Sequence, residues 1–508
     1  MFNTDADYVE SILQQFGIKV SLSLTLQARQ LCNDSRQLQA GDIFCAVAGT
    51  QQQGEHYIAD ALAANSSLIL VETSDVSKHG LTHQKVNQAG DCVEIISFYQ
   101  LNKCLFALAK AFYKSPQAHM TMIGITGTNG KTSTSQIIAQ LQESLAMPTG
   151  VIGTNGAGKV DALIPIANTT PGATELHSLL QAFVESDQNA VVMEVSSHAL
   201  AQGRVTAELF DIAVFTNLSR DHLDYHGSMA SYADAKAKIF ANNNLQVAVV
   251  NGNDETAKQW LAEGKIQNAL VYGRDLTVKQ FDNYVHASAV KATKQGMSFV
   301  VKTQDDEQLI ESPLLGIFNV DNLLAAISVL LVRGHSLSNI ATAVKEIKPV
   351  MGRMETFQSA KLPLAVVDYA HTPDALANAL QACREHCSGK LWAVFGCGGD
   401  RDKGKRAIMG QVAEQYSDNI IITNDNPRSE QPEAIANDVL SGCVKPENVT
   451  VMLERQQAVL HVLKTATNKD VVLFAGKGHE DYVEIQGKRH QYNEREWVRS
   501  QYTTGITQ

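Results

Sequence analysis

The stretch Gly124-Ile125-Thr126-Gly127-Thr128-Asn129-Gly130-Lys131-Thr132-Ser133 constrains this chain more than any other. It follows an apolar run at residues 120–125 that reads as a buried strand, and it leads into Ile137, Ile138 and Leu141 at helical spacing. A glycine loop between strand and helix aims backbone N–H groups and the helix N-terminus at one point, where phosphate oxygens are held. Lys131 adds a positive charge and Thr132 a hydroxyl suited to Mg²⁺. The loop is a variant, because Ile125 stands where the commonest phosphate loop has its first glycine. The bland alternative is a glycine turn with a surface lysine. The strand–loop–helix context favours a nucleoside triphosphate, with Gly127, Thr128, Asn129, Gly130, Lys131, Thr132 and Ser133 as the binding residues.

Further apolar runs at residues 190–195, 211–216 and 247–250 end in polar residues and alternate with helical stretches. That pattern predicts an α/β fold whose central, mostly parallel sheet is covered on both faces. Ligands of such sheets sit beyond the carboxyl ends of the strands. The 508-residue length suggests about three domains. We expect boundaries at 1–99, 100–349 and 350–508, joined by short hinges. The last region carries its own strand candidates at 364–367, 391–395, 420–423 and 471–474, and a helix opening with Thr372 as cap and Pro373 behind it.

A net charge of −11 without a basic tail argues against nucleic acid as a partner. An anionic substrate then needs a local basic cluster, and Arg401-Asp402-Lys403-Gly404-Lys405-Arg406 is the candidate. The eight cysteines form no metal-binding spacing; Cys383 and Cys387 fall in an apparent helix and read as reduced thiols. The N-terminus shows no signal-peptide pattern and the longest apolar helix candidate is too short for a bilayer, so a soluble cytoplasmic protein is expected.

Several polar groups follow these strands. Glu194, ahead of Ser196-Ser197-His198, is a candidate Mg²⁺ ligand or an acid paired with a base. His222 is a candidate for a second metal or for substrate, or is simply solvated. Asn319, before an apolar helix, either serves the nucleotide or caps the helix. Arg353 lies at the expected hinge, and Asp368, in Asp368-Tyr369-Ala370-His371, is placed to accept from ribose hydroxyls.

In this order the set resembles the Mur ligase family of ATP-dependent amide-bond-forming enzymes, over essentially the whole chain. The resemblance implies an N-terminal uridine-nucleotide-binding α/β domain, a central P-loop ATPase-like domain and a C-terminal Rossmann-like α/β domain. It also implies ATP and Mg²⁺, small-molecule substrates and a monomer. Within the family the likeness is to members that add meso-diaminopimelate to UDP-N-acetylmuramoyl-L-alanyl-D-glutamate through an acyl phosphate in peptidoglycan precursor synthesis. For the UDP-linked dipeptide it implies Asn33, Ser35 (in Asp34-Ser35-Arg36), Thr50, Gln51, Gln52, Asn168, Thr169, Thr170, Ser196, Gln202 and Arg204. For diaminopimelate it implies Arg401, Asp425, Asn426, Pro427, Arg428, Gly476 and Glu480.

Lys131, Glu194, His222 and Lys236 take the catalytic roles by the same resemblance, and Thr132, Glu194, His222 and Lys236 the metal. Lys236 matches the family's carbamylated lysine, an N6-carboxylysine whose oxygens suit a hard cation where an ammonium would be repelled. The alternative is a solvated helix lysine like Lys238. Arg428 fits the selector role physically, since a planar guanidinium grips a second carboxylate that lysine lacks, and Glu480 suits the distal amine. Three rival readings stand beside this one: the same ligase using L-lysine, a folylpolyglutamate-synthase-like ligase, and a P-loop regulatory ATPase or binding module.

Overall fold

The computed structural model describes residues 4–23, 27–47, 54–293 and 296–503. Its compact units are residues 1–131, 146–248 and 260–268 for the first, and 132–145, 249–259 and 269–508 for the second. Thr50, Gln51 and Gln52, expected at the UDP-linked substrate, lie outside the described residues.

In the first unit, strands Leu31–Cys32, Ile43–Ala46, Leu68–Thr73 and Cys92–Tyr99 pair in parallel in that order, and Thr82–Val86 closes the edge antiparallel. Phe44, Ala46, Ile69, Val71, Val93 and Ile95 alternate onto one buried face, as the two-residue period of a strand requires. A second set places Thr149–Gly153, Ala190–Glu194, Thr121–Thr126 and Ile212–Phe215 side by side and parallel. The phosphate loop leaves the carboxyl end of Thr121–Thr126, the strand flanked on both sides. Register sets Glu194 opposite Ile125, so the acid sits at the same end of the sheet as the loop.

The expectation of a mostly parallel sheet holds for these strands and fails at the margins. Gly156–Lys159 and Ala162–Ile164 add an antiparallel edge in the first unit. In the second unit Tyr284–Thr293, Gly296–Lys302 and Glu307–Ser312 form an antiparallel meander. Their apolar-polar alternation is that of a sheet with one buried face, and it went unread in the sequence.

A six-stranded sheet of the second unit runs Glu355–Phe357, Leu364–Asp368, Val471–Ala475, Leu391–Phe395, Asn419–Ile422 and Val449–Val451, parallel except for its first pair. Leu391, Ala393, Phe395, Leu473 and Val366 face one core. Val394, Val472, Phe474 and Val367 face the other, so helices cover both faces as in a doubly wound fold. Thr372 caps helix Pro373–Glu385 by accepting from the Ala375 N–H. Cys383 is buried in that helix, whereas Cys387 lies past its end, and all eight cysteines are free thiols.

Helix Ile317–Val332 is apolar on nearly every side and correspondingly buried. Asn319 is inside it rather than capping it; Gly316, at φ +84°, holds the cap position. Among the described residues no helix is long and apolar enough to cross a membrane.

Helix Ala173–Glu185 carries a buried His177 whose Nδ1 lies 2.8 Å from the Ala173 carbonyl and whose ring packs edge-on against Phe106. Burial lowers its pKa to about 4. Below pH 6.5 the unfolded chain takes up a proton that the folded chain refuses until about pH 4, so stability falls across that window. Chemical denaturation of wild type and His177→Leu at pH 7 and pH 4.5 is expected to show a smaller acid loss in the variant. By linkage the difference reaches roughly 2–3 kcal/mol. Equal losses would remove His177 from the acid response.

Candidate active site

The phosphate loop is held open by its own glycines. Gly127 has φ +150°, and a Cβ there would lie 1.9 Å from Thr216 Oγ1. Only glycine lets the loop backbone approach that closely. The Thr216 hydroxyl donates to the Asn129 carbonyl at 2.6 Å, and the Asn129 N–H donates to Asn217 Oδ1 at 2.9 Å. Thr128 Oγ1 accepts from the Ser219 N–H at 3.0 Å. The loop is thereby anchored on the residues that follow strand Ile212–Phe215.

Two lysines converge on one carbonyl. Lys131 Nζ donates to Gly127 O at 2.9 Å and to Thr128 O at 3.0 Å. Lys236 Nζ donates to the same Gly127 O at 2.7 Å and lies 4.6 Å above the Tyr232 ring. Lys236 is buried while Lys238, two residues on, is exposed, which rules out the solvated reading for Lys236. Burial, with the Lys131 charge added, holds the Lys236 amine well below the ordinary lysine range. Tyr232 was missed in the sequence, although its helical spacing of four from Lys236 is a readable signal.

Glu194 is buried at its strand end. Its Oε1 accepts from the Thr154 N–H at 2.8 Å and its Oε2 from the Thr154 hydroxyl at 3.2 Å. Its backbone carbonyl accepts from Thr170 Oγ1 at 2.9 Å, and that same oxygen accepts from the Ser196 N–H at 3.0 Å. Arg204 donates to the Thr170 carbonyl, and Thr169 Oγ1 lies 3.1 Å from Thr154 Oγ1. Glu194, Thr169, Thr170, Ser196 and Arg204 therefore form one connected set. Thr154, the residue that joins them, had no motif to mark it. Asn33 meets this region through Thr174, whose hydroxyl donates to its Oδ1 at 2.8 Å. Ser35 opens a short 3₁₀ turn, Asn168 is exposed, and Gln202 reaches only Tyr225 at 3.3 Å.

His222 stands in an aromatic cluster. The His198 ring centre is 4.9 Å from that of His222, 4.2 Å from Tyr225 and 5.3 Å from His226. Burial, then the neighbouring histidines, lower the pKa of both His198 and His226. Asp221 Oδ2 lies 3.4 Å from His222 Nε2.

In the second unit, the Asn319 amide donates to the Leu315 carbonyl at 2.8 Å, and its Oδ1 accepts from Asn322 at 3.0 Å. Arg353 Nη2 is 3.4 Å from Thr132 Oγ1, its guanidinium lies 4.8 Å above the Tyr369 ring, and its buried Nε has no hydrogen-bond partner among the described residues. Asp368 Oδ1 accepts from the Met354 N–H at 2.8 Å, and burial raises its pKa.

The diaminopimelate candidates also gather in the second unit. Asp425, Asn426 and Glu480 all contact the buried Lys477, at 3.1, 2.8 and 3.0 Å. Glu480 Oε2, expected at a distal amine, already accepts from Lys477 and from Asn426 Nδ2. Arg428 adopts φ +51°; its Nη1 donates to the Gly399 carbonyl at 2.8 Å and its Nε lies 3.2 Å from Glu484. Pro427 is buried between Asn426 and Arg428.

The expected basic cluster is not a free anion site. Arg406 is fully buried on Glu430 and Asp438, Lys403 pairs with Glu430, and Lys405 donates to the His371 carbonyl. Arg401 is exposed and, among the described residues, has no carboxylate partner; it donates to the Asp400 carbonyl. Lys477 and Glu484 were not assigned roles from sequence, although Lys477 lies inside the Gly476–Glu480 motif.

A phosphate loop at the carboxyl ends of parallel strands, backed by a buried lysine, defines an enzyme that works on a nucleotide's phosphates. The chain belongs to the Mur ligase family: the profile "Mur ligase middle domain" matches residues 125–330, and "Mur ligase, glutamate ligase domain" residues 352–478. It is thus an ATP-dependent, amide-bond-forming ligase. The chain is 42% identical to the UDP-N-acetylmuramoyl-L-alanyl-D-glutamate–2,6-diaminopimelate ligase of Haemophilus influenzae strain 86-028NP, over 90% of this chain and 92% of that one. A solved ligase of the same name matches all of both chains at 32% identity with a TM-score of 0.67. Folylpolyglutamate synthase of Mycobacterium tuberculosis, at 20% identity, shares the fold over 73% of this chain and 91% of its own, with a TM-score of 0.58.

Proposed function

We propose that this ligase joins meso-2,6-diaminopimelate to UDP-N-acetylmuramoyl-L-alanyl-D-glutamate in peptidoglycan precursor synthesis, in the cytoplasm and as a monomer, with domains 1–99 for the UDP-linked substrate, 100–349 for ATP and 350–508 for the amino acid. The observation that carries the reading is Arg428. Its guanidinium is oriented by Gly399 and Glu484 beside the connected Asp425–Asn426–Glu480 set, while relatives of matching length bear the diaminopimelate-adding name.

The γ-phosphoryl of ATP passes to the D-glutamyl γ-carboxylate, giving ADP and an acyl phosphate. The amine of the incoming amino acid attacks that carbonyl, and the tetrahedral intermediate collapses with loss of phosphate and a proton. No protein nucleophile is required; the chain contributes position and charge neutralisation. Residues 127–133 cradle the phosphates, with Lys131 giving up its contacts to Gly127 and Thr128 to meet them. Asn319, Arg353 and Asp368 serve the nucleotide, and Arg204, Thr170 and Ser196 the UDP-linked dipeptide.

The residues fit Mg²⁺: Glu194 and Thr132 offer oxygen donors, and burial holds the Lys236 amine well below the ordinary lysine range, which favours the neutral form that takes up CO₂. His222 would complete this set, and Mg²⁺ held there would supply charge neutralisation for the transferring phosphoryl group.

The test is phosphate release. Release is expected only when the UDP-linked dipeptide and diaminopimelate are both present, with lysine and ornithine far poorer acceptors. Phosphate release without either substrate favours a regulatory ATPase, and equal use of lysine favours the lysine-adding ligase.

A further inference from the structure

We infer that Lys477 is a positioning residue that sets the geometry of amino-acid selection, tying the Arg428 segment to the Glu480 segment; the inference rests on the function proposed above. Lys477 follows strand Val471–Ala475, and its side chain is fully buried. Its ammonium is enclosed by four acceptors: Asn426 Oδ1 at 2.8 Å, Tyr482 O at 2.9 Å, Glu480 Oε2 at 3.0 Å and Asp425 Oδ1 at 3.1 Å. With three N–H donors, a lysine so enclosed has no donor left for a ligand. It acts through the residues it holds.

Those residues lead directly to Arg428. Asn426 Oδ1, which accepts from Lys477, also accepts from the Glu484 N–H at 2.9 Å. Lys477 fixes the start of strand Tyr482–Ile485 at the Tyr482 carbonyl. Glu484 in that strand accepts from the Arg428 N–H at 2.9 Å through its backbone and pairs with the guanidinium through its side chain. Gln486 N–H donates back to the Arg428 carbonyl at 2.8 Å. On the other side, Lys477 and Asn426 together hold the Glu480 carboxylate. Gly476, at φ +108°, lets the two segments approach, since a Cβ there would lie 2.7 Å from Asp425 Oδ2.

One buried charge therefore spaces the arginine and the carboxylate that would meet the distal carboxylate and the distal amine of a diamino diacid. The network meets the nucleotide residues at its edge, where the Gly476 N–H donates to the Asp368 carbonyl at 3.1 Å and the Tyr369 hydroxyl, whose ring lies under Arg353, donates to Glu480 Oε1 at 3.4 Å. Lys477→Met is the primary variant. Acyl-phosphate formation from ATP and the UDP-linked dipeptide, trapped with hydroxylamine, reads the first half-reaction and reports folding at the same time. The expected result is unchanged hydroxamate yield, a KM for diaminopimelate raised roughly 10- to 100-fold, and a smaller preference for diaminopimelate over lysine.

Glu484→Gln leaves Lys477 in place and weakens only the last link to Arg428. It is expected to raise the same KM, and it carries the test should Lys477→Met fail to fold. An unchanged diaminopimelate KM in either folded variant, or hydroxamate yield falling in step with coupling, overturns the inference. If wild-type enzyme does not couple diaminopimelate at all, the proposed function fails instead.

Discussion

Lys236→Met is expected to lower coupling by about 100- to 1,000-fold or more while raising the thermal stability of the enzyme. The loss follows from its proposed role, because methionine can form no carbamate and supplies no oxygen for Mg²⁺. Lys236→Ala, which leaves room beside Gly127, should regain part of the activity with added acetate. No recovery with any short carboxylic acid counts against a carbamate at this position.

The stability gain follows from burial. The Lys236 amine is held well below the usual lysine range, first by burial and then by Lys131. Between its folded pKa and the ordinary value near 10.5, the unfolded chain binds a proton that the folded chain does not. Stability therefore rises with pH across that window, and the penalty is fully relieved above it. Methionine titrates in neither state, so its advantage over wild type should be largest at the low end of the window and shrink toward pH 10.5. Melting curves in CO₂-free buffer from pH 7 to 10 measure this. A variant that melts below wild type throughout would show that Lys236 is stabilised in its charged form.

Arg428→Ala is expected to reduce kcat/KM for diaminopimelate by roughly 100- to 10,000-fold, with little change for lysine, so that discrimination between them collapses. A guanidinium–carboxylate pair is directional and strong, and a site built around it penalises an acceptor lacking the second carboxylate. Glu484 already shares the guanidinium at 3.2 Å, which orients it and lowers the net charge an acceptor meets. Arg428→Lys should not restore selectivity, because an ammonium cannot reproduce the planar fork. Unchanged kinetics for Arg428→Ala would move selection elsewhere, with the exposed Arg401 next in line.

The parts of the site legible in sequence are those where local chemistry and strand ends coincide. Residues 127–133 announced themselves because a glycine loop between strand and helix has few other uses, and the structure sets that loop at a central strand's carboxyl end. Glu194 was legible for the same reason. For Asn319 the sequence left helix capping open beside a nucleotide role, because an Asn before an apolar run looks the same at the first turn as outside it, and backbone angles separate the two. The cluster from Arg401 to Arg406 looked like an anion site because charge is visible in a sequence and its partners are not. Glu430 and Asp438, which neutralise Arg406, lie 24 and 32 residues away.

From the sequence alone came the α/β class, the phosphate loop, the family and the candidate residues for its chemistry, because strand alternation, glycine spacing and motif order are local properties. Only the tertiary structure decided what each charge does. It buried Lys236 against Gly127 and held its amine well below the ordinary lysine range, enclosed Lys477 among four acceptors, and engaged Glu480 with Lys477 and Asn426. Burial and ion pairing depend on residues brought together from distant parts of the chain, and a charge's free energy is set by those surroundings rather than by its neighbours in sequence.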